Sequence, residues 1–281
     1  MISHFNQFLH PPSFWILTKY YQLEKDLEIY NQNYELAHSI DSIYKFLWDN
    51  YADWYIEYLK TTNPVEIDFA KQLFRQFIIT VSPFCPFETE AIWSQFFGES
   101  TNLVKTIKDP TWSQKALELH FEVKDFDNLT KNKAYLEFEK IIQFVNNIRS
   151  LRGLFAIDPV VAVTVYTDNQ FLHRYNYFIK LICKVNLSPA IDQNLYRIKE
   201  IDYEYQIDIV QYIKNIEQEV ARSNKQIESI LKQISGINTQ LTNPNFVQNA
   251  EAKTIQEKKE QLIQRQIELE QQQAKLVFLK N

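Results

Sequence analysis

From Ile213 onward, apolar residues step along the chain by alternating threes and fours: Ile213, Ile216, Val220, Ser223, Ile227, Ile230, Ile234, Ile237 and Leu241. That spacing is a heptad seam, which keeps one stripe of a long helix facing a partner helix, with one polar break at Ser223. Thr242–Asn245 (TNPN) interrupts it with turn chemistry. A second run then carries Phe246, Ile255, Leu262, Leu269 and Leu276, with Gln266 and Gln273 at its intermediate seam positions. The prediction is an antiparallel coiled-coil hairpin over 207–281, with arms of roughly 35 residues reaching about 50 Å each. Because half of the second seam is polar, the hairpin is expected to be only moderately stable.

The rest of the chain must supply a body for this hairpin, and it reads as helical. Glycine occurs only at Gly98, Gly153 and Gly236, too few for the positive-φ turns of a sheet-rich fold or for a phosphate-cradling loop. Pro11-Pro12 with Ser13 as N-cap predicts a helix to about Tyr30. Glu35–Lys60 carries Leu36, Ile40, Ile43, Tyr44, Leu47, Trp48, Tyr51, Trp54, Tyr55 and Tyr58 at helical spacing, which predicts one broad buried face. Asn63-Pro64 caps the next helix, which is expected to end near Val81 because Pro83 disfavours helical Ser82; Pro86 restarts it. Cys85 and its flanking phenylalanines are expected to plug that corner. A further helix over 128–154 places Ile141, Ile142, Val145, Ile148 and Leu151 on its core side. The fold class is therefore mainly α: a helical bundle over 1–158, a small α/β connector over 159–206, and the hairpin. The connector is read from the β-branched run Val160–Thr167, a helix through 172–185 and two weak strands up to Tyr205.

Composition narrows the function. At 45% hydrophobic and 15% aromatic residues over 281 positions, the chain can bury a core, and a net charge of -5 argues against unselective attraction to nucleic acid. Any RNA binding has to be local. Cys85 and Cys183 lie far apart in apolar settings and read as small buried hydrophobes of a reducing compartment. With no run of 18 apolar residues and no signal-like start, a cytoplasmic location is expected, with no membrane partner. The five histidines show no ligand spacing, so no metal is expected. Asp53 and Glu57 share a helix face at i and i+4; they suit either a proton-sharing pair or a solvated flank, and no other catalytic group accompanies them. Cys85 lacks surroundings that favour a thiolate, so no catalytic residue is assigned.

Cations are more informative. Arg149 and Arg152, at i and i+3 near the end of a helix, present paired guanidinium groups either to backbone phosphates or to an acidic neighbour within the chain. On the hairpin, Arg222, Lys225, Lys232, Lys253, Lys258, Lys259 and Arg265 alternate with Glu219, Glu228, Glu257 and Glu260. Such mixtures serve phosphate contact or simple solubility.

The order WILTKYYQLEKDLEIY, IDSIYKFLWDNYADWYIEYLK, SPFCPFETEAIW, IRSLRGLFAIDP and LTNPNFVQNA resembles the C-terminal portion of valyl-tRNA synthetases. The resemblance covers nearly the whole chain. It implies an anticodon-binding bundle and an arm that leans on the outer corner of tRNA(Val). It also implies RNA contact by the paired Arg149 and Arg152, by the arm cations Arg222, Lys225, Lys232, Lys258, Lys259 and Arg265, and by the DWYIE helix end, of which Asp53, Trp54 and Tyr55 are part. Trp54 and Tyr55 also fit the bundle core. Gln240 stands where the family has lysine, Glu251 where it has proline, and the family's arms are more basic. No H-x-G-H follows any histidine, and Met1 is the only methionine, so these 281 residues hold neither class I catalytic signature. ATP and magnesium are expected only of a complete enzyme, with a separate catalytic subunit as a further partner. The competing readings are a stand-alone or degenerate RNA-binding module and a coiled-coil scaffold for a protein.

Overall fold

Two adjacent prolines open the first helix, α1 (Pro11–Gln32), where their missing N–H groups cost nothing. The computed structural model describes residues 10–97, 103, 129–190, 195–200, 203–213, 215–250 and 252–280. Contacts divide the chain into two units, Met1–Phe144 and Val145–Asn281. Ser13 is not the cap of α1: His10 holds that position without a side-chain bond. The serine is fully buried, its hydroxyl 2.7 Å from the Tyr55 hydroxyl and donating to the buried Glu66 carboxylate. A polar residue inside a bundle needs such partners, and these come from two other helices.

The helix expected over 35–60 is continuous but changes pitch. It runs as α2 (Leu36–Lys45), a π-helical segment (Phe46–Ile56) and α3 (Glu57–Leu59). Each i→i+5 turn holds one more residue than an α turn, so the π segment rephases the helix. Phe46, Tyr51, Trp54, Tyr55 and Tyr58 turn inward, while Leu36, Ile40, Tyr44 and Trp48 are 52–59% exposed. The single buried face expected for this helix is therefore two faces, only one of them covered.

α4 (Pro64–Val81) starts as expected, with Asn63 Oδ1 accepting from the N–H groups of Val65 (3.1 Å) and Glu66 (3.2 Å). It ends at Val81, and α5 (Pro86–Phe97) restarts at Pro86. The corner between them is closed differently from the expectation. Phe87 is 85% exposed and Cys85 only half-buried; Val81, Thr89 and Trp93 are the buried residues there, with the Thr89 hydroxyl donating to the Cys85 carbonyl at 2.8 Å.

α6 (Lys133–Leu154) contains the boundary between the units; Asn128, where its start was expected, lies outside the described residues. Its first half closes the bundle: Phe138 meets Trp15 edge-on at 5.2 Å and Tyr58 at 6.1 Å, while Phe46 meets Phe77 at 5.2 Å. Aromatic pairs of this kind each contribute about 0.5–1.5 kcal/mol beyond their buried area.

One charged cluster rims this core. Glu139 accepts from Trp15 Nε1 and from Lys19 Nζ, each at 2.8 Å. Burial alone would raise the Glu139 pKa, but the bonds from Lys19 and Trp15 hold it below the ordinary carboxylate range. Burial likewise opposes the Lys19 charge, and Glu139 with Tyr135 more than offsets it, raising that pKa. The Glu139 contribution is thus complete above the ordinary carboxylate pKa and fades as pH falls through its depressed value. Glu139→Gln is expected to lower stability at pH 7 by about 1 kcal/mol or less, the pair being half-exposed. Urea titrations of the two proteins should converge as the solution is acidified.

In the second unit α6 ends in a Schellman cap, with Ile157 N bonding to Arg152 O at 2.8 Å and Ala156 in the left-handed region at φ 53°. The β-branched run yields β1 (Val163–Tyr166), shorter than expected because Val160 and Val161 belong to a turn on Asp158. α7 (Gln170–Arg174) and α8 (Asn176–Cys183) cross over to β2 (Val185–Ser188), which pairs parallel to β1. The expected helix to 185 stops at Lys184, whose left-handed φ of 54° turns the chain into the strand. β3 (Tyr196–Lys199) and β4 (Glu204–Ile207) complete a sheet of order β2-β1-β4-β3, with β4 antiparallel to both neighbours.

The hairpin follows as α9 (Ile216–Thr242), a short α10 (Pro244–Asn249) inside the expected turn, and α11 (Ala252–Lys280). At 1.5 Å per residue the two long helices span about 40 Å, less than expected. They pair antiparallel: Glu219, near the start of α9, meets Lys275, near the end of α11, at 2.5 Å. Lys275 is completely buried, donates also to the Leu154 carbonyl, and lies 5.3 Å over the Phe155 ring. Phe155, Tyr196 and Phe278 stack edge-on around it, with Tyr196 and Phe278 at 4.9 Å. The base of the hairpin is thus bonded to the end of α6 and to β3.

Candidate nucleic-acid interface

The seam of α9 decides which arm cations can meet a ligand. Val220, Ser223, Ile227, Ile230, Ile234, Ile237 and Leu241 are buried or half-buried, as expected from the heptads, whereas Ile216, also expected on the seam, is exposed at the first turn of α9. Arg222, Lys225 and Lys232 are exposed, and their spacing of three and seven residues places Lys225 and Lys232 on the face opposite that seam, with Arg222 next to them on the outer side. Arg222 lies 3.8 Å from Glu219, whose other oxygen is engaged by Lys275.

On α11 the seam runs through Ile255, Lys258, Leu262, Arg265, Leu269, Gln272 and Leu276. Its intermediate positions are therefore Lys258, Arg265 and Gln272; Gln266 and Gln273, expected there, are exposed. Lys258 is half-buried on the seam, and Arg265 is held at 2.5 Å by Glu268. Lys259 and Lys253 remain exposed. A shallow depression of about 850 Å³ on this helix is lined by Glu257, Glu260, Gln264, Arg265 and Glu268, an acidic setting that repels phosphate.

Arg149 and Arg152 separate in the same way. Arg152 is 5% exposed, and its guanidinium donates to the carbonyls of Asp158 (2.9 Å), Cys183 (3.0 Å) and Lys184 (3.3 Å). It ties the cap of α6 to the end of α8; the partners are carbonyls, not the acidic neighbour weighed from sequence. Burial lowers its pKa. Arg149 is exposed and lines a cleft of about 1070 Å³ with Gln211, Asn215, Gln218 and Glu219. Gln218 and Glu219 also line a depression of about 620 Å³ that continues past Arg222 and Lys225 to Ser229. Arg149, Arg222 and Lys225 thus border two adjoining hollows, with Lys232 one turn beyond. Gln211, Asn215 and Gln218 were not singled out from sequence, because polar residues off a seam carry no periodic signal.

The bundle residues named with them have other roles. Trp54 and Tyr55 are core, 8% and 0% exposed, and the Tyr55 hydroxyl pKa is driven up by burial. Asp53 is exposed, while Glu57 pairs with Lys60 at 2.6 Å. Cys183 is buried, and burial pushes its thiol up to about 12; burial and then Glu88 also raise Cys85. Neither sulfur is a thiolate near neutral pH. Among the described residues no helix is long and apolar enough to cross a membrane.

Residues 13–165, more than half of the chain, match the family model of the anticodon-binding domain of tRNA ligase. The chain belongs to that family. Residues 215–280 match a second model, the valyl tRNA synthetase tRNA binding arm. The anticodon-binding domain by this measure runs past the bundle into β1, and the tRNA-binding arm coincides with α9 to α11. Among curated proteins, the valine–tRNA ligase of Mesoplasma florum is 27% identical over 91% of this chain and 29% of its own length. That of Thermotoga maritima is 28% identical over 88% and 28%, and that of Petrotoga mobilis 26% over 93% and 30%. The chain therefore spans less than a third of the length of these relatives. Two colinear domains, an anticodon-binding domain and a tRNA-binding arm, make it a tRNA-binding C-terminal portion of the valine–tRNA ligase type.

Proposed function

We propose that this chain holds tRNA(Val) for aminoacylation carried out by a class I catalytic portion outside these residues. The valine specificity rests on the named relatives and on the arm match. The single observation that carries the RNA reading is the line of cations Arg149, Arg222, Lys225 and Lys232 along adjoining hollows of the second unit. In a chain of net charge -5, a cationic track of this kind concentrates phosphate affinity in one place. The anticodon-binding domain offers exposed rings at Tyr34 and Phe87, 90% and 85% exposed, on which unstacked loop bases can lie. ATP and magnesium belong to the catalytic portion, and no residue here is assigned to them.

The test is a titration of the full chain with tRNA(Val) and with a tRNA of unrelated anticodon, between 50 and 200 mM salt. Preference for tRNA(Val) with steep salt dependence is the expected result. Equal, weak binding to both would reduce the chain to an unselective RNA binder, and no binding would contradict the reading.

A further inference from the structure

The end of α6 carries its glycine where the backbone has no use for one. Gly153 lies in the last turn of the helix, where alanine is the better helix former, and a Cβ built there meets no atom within 4 Å. Ala156, three residues on, holds the left-handed position of the cap, φ 53°, which glycine ordinarily fills. Neither choice serves the fold, and such local conflicts concentrate at functional sites. Both residues are exposed on the wall of the cleft of about 1070 Å³ in the second unit, with Arg149 one turn before Gly153. Tyr212 lines the same cleft, its hydroxyl fixed by the Thr164 N–H at 3.1 Å. Asn215 uses its Oδ1 on the Gln218 N–H at 2.9 Å and presents its NH2 group as a donor, while the Gln218 side-chain amide offers a donor and an acceptor. Two guanidinium groups, Arg149 and the buried Arg152, stand against Asp158 and Glu219, and Glu219 is already bonded to Lys275, so the balance is positive. An aromatic wall, amides that can pair with a base edge, and a cation for phosphate are the chemistry of a nucleotide, and the volume suits one rather than a duplex. The cleft shares Gln218 and Glu219 with the hollow that carries Arg222 and Lys225, so RNA following those cations reaches its mouth.

We infer that this cleft receives one unstacked nucleotide of the bound tRNA, its phosphate on Arg149 and its base against the bare wall at Gly153. This rests on the tRNA-binding reading above, and the two fail separately. The test is 2′-hydroxyl acylation of tRNA(Val) bound to the full chain, read nucleotide by nucleotide, together with affinity. A protected nucleotide in the parent complex should regain reactivity with Gly153→Leu, which fills the cleft, and with Arg149→Gln. Each variant should lose fivefold or more in tRNA affinity, and Arg149→Gln should also lower the salt slope by about 1. Gly153→Ala, which has room for its methyl group, should raise the thermal midpoint and lose less affinity than Gly153→Leu, so that the loss follows the space filled and not the stability of α6. An unchanged footprint and affinity in Gly153→Leu overturns the nucleotide site and leaves the RNA reading intact. So does binding of free 5′-AMP, CMP, GMP or UMP that Gly153→Leu abolishes without changing the tRNA footprint, which assigns the cleft to a free nucleotide. A parent chain that binds no tRNA overturns the RNA reading, and this site with it.

Discussion

Lys275→Ala is expected to destabilise the second unit by about 3 kcal/mol, because it takes the buried partner from Glu219 and leaves that carboxylate only the longer, exposed contact with Arg222 at 3.8 Å. Lys275 is heavily engaged: completely buried, bonded to Glu219 at 2.5 Å and to the Leu154 carbonyl, and placed over Phe155. Alanine removes all of these together and leaves a cavity beside the Phe155, Tyr196 and Phe278 rings. Counting away from the Glu219–Lys275 contact, the antiparallel register brings Ser223 to the level of Gln272. Both are buried, and Ser223 Oγ and Gln272 Oε1 have no hydrogen-bond partner. This layer therefore has little capacity to absorb a further unsatisfied group. Equilibrium urea unfolding should show the loss. The double variant Glu219→Leu, Lys275→Met should recover most of it, since an apolar pair of similar volume avoids the desolvation of both charges. A Lys275→Ala protein as stable as its parent would mean that the arm is not anchored through this lysine.

The second large effect is on RNA. Arg222→Glu, Lys225→Glu and Lys232→Glu together should lower tRNA(Val) affinity by tenfold or more at moderate salt. The slope of log affinity against log salt should fall by roughly 2–3, the counterions of three phosphate contacts. Lys225 and Lys232 are exposed and off the seam, so their reversal should change thermal stability little, whereas reversal of Arg222 also removes its contact with Glu219 and should lower stability modestly. Charge reversal at Lys258 and Arg265 would not isolate contact with RNA. Both sit on the α11 seam, so any loss of binding there would be confounded by loss of pairing. Among the α11 cations weighed from sequence, Lys253 and Lys259 are the exposed ones and give the cleaner comparison.

These residues also show where sequence reasoning stops. The α9 seam was legible because a run of isoleucines at steps of three and four admits one helical face. The α11 seam was misplaced by one residue at its intermediate positions, since Arg265, Gln266, Gln272 and Gln273 are all polar and hydropathy cannot choose among them. The proline corner and the Asn63 cap were readable from local chemistry. The change to π pitch at Phe46 was not, because the apolar spacing of Leu36 to Tyr58 fits one continuous α face equally well. Trp54, within the rephased segment, is buried, and Trp48, near its start, is exposed. Arg149 and Arg152 are one helical turn apart, yet only the second reaches the carbonyls at the end of α8, a contact more than thirty residues away in sequence. Function was legible through colinear motifs, whereas the side chains able to serve it depended on which faces the neighbouring helices covered.

Site-specific photocrosslinking to tRNA(Val) tests the central claim most directly. A photoreactive residue at Ser229, between Lys225 and Lys232 on α9, should crosslink to the tRNA, and one at Gln264, among the carboxylates of α11, should not. Crosslinks from Gln264 and none from Ser229 would place the RNA on the acidic face and contradict the account.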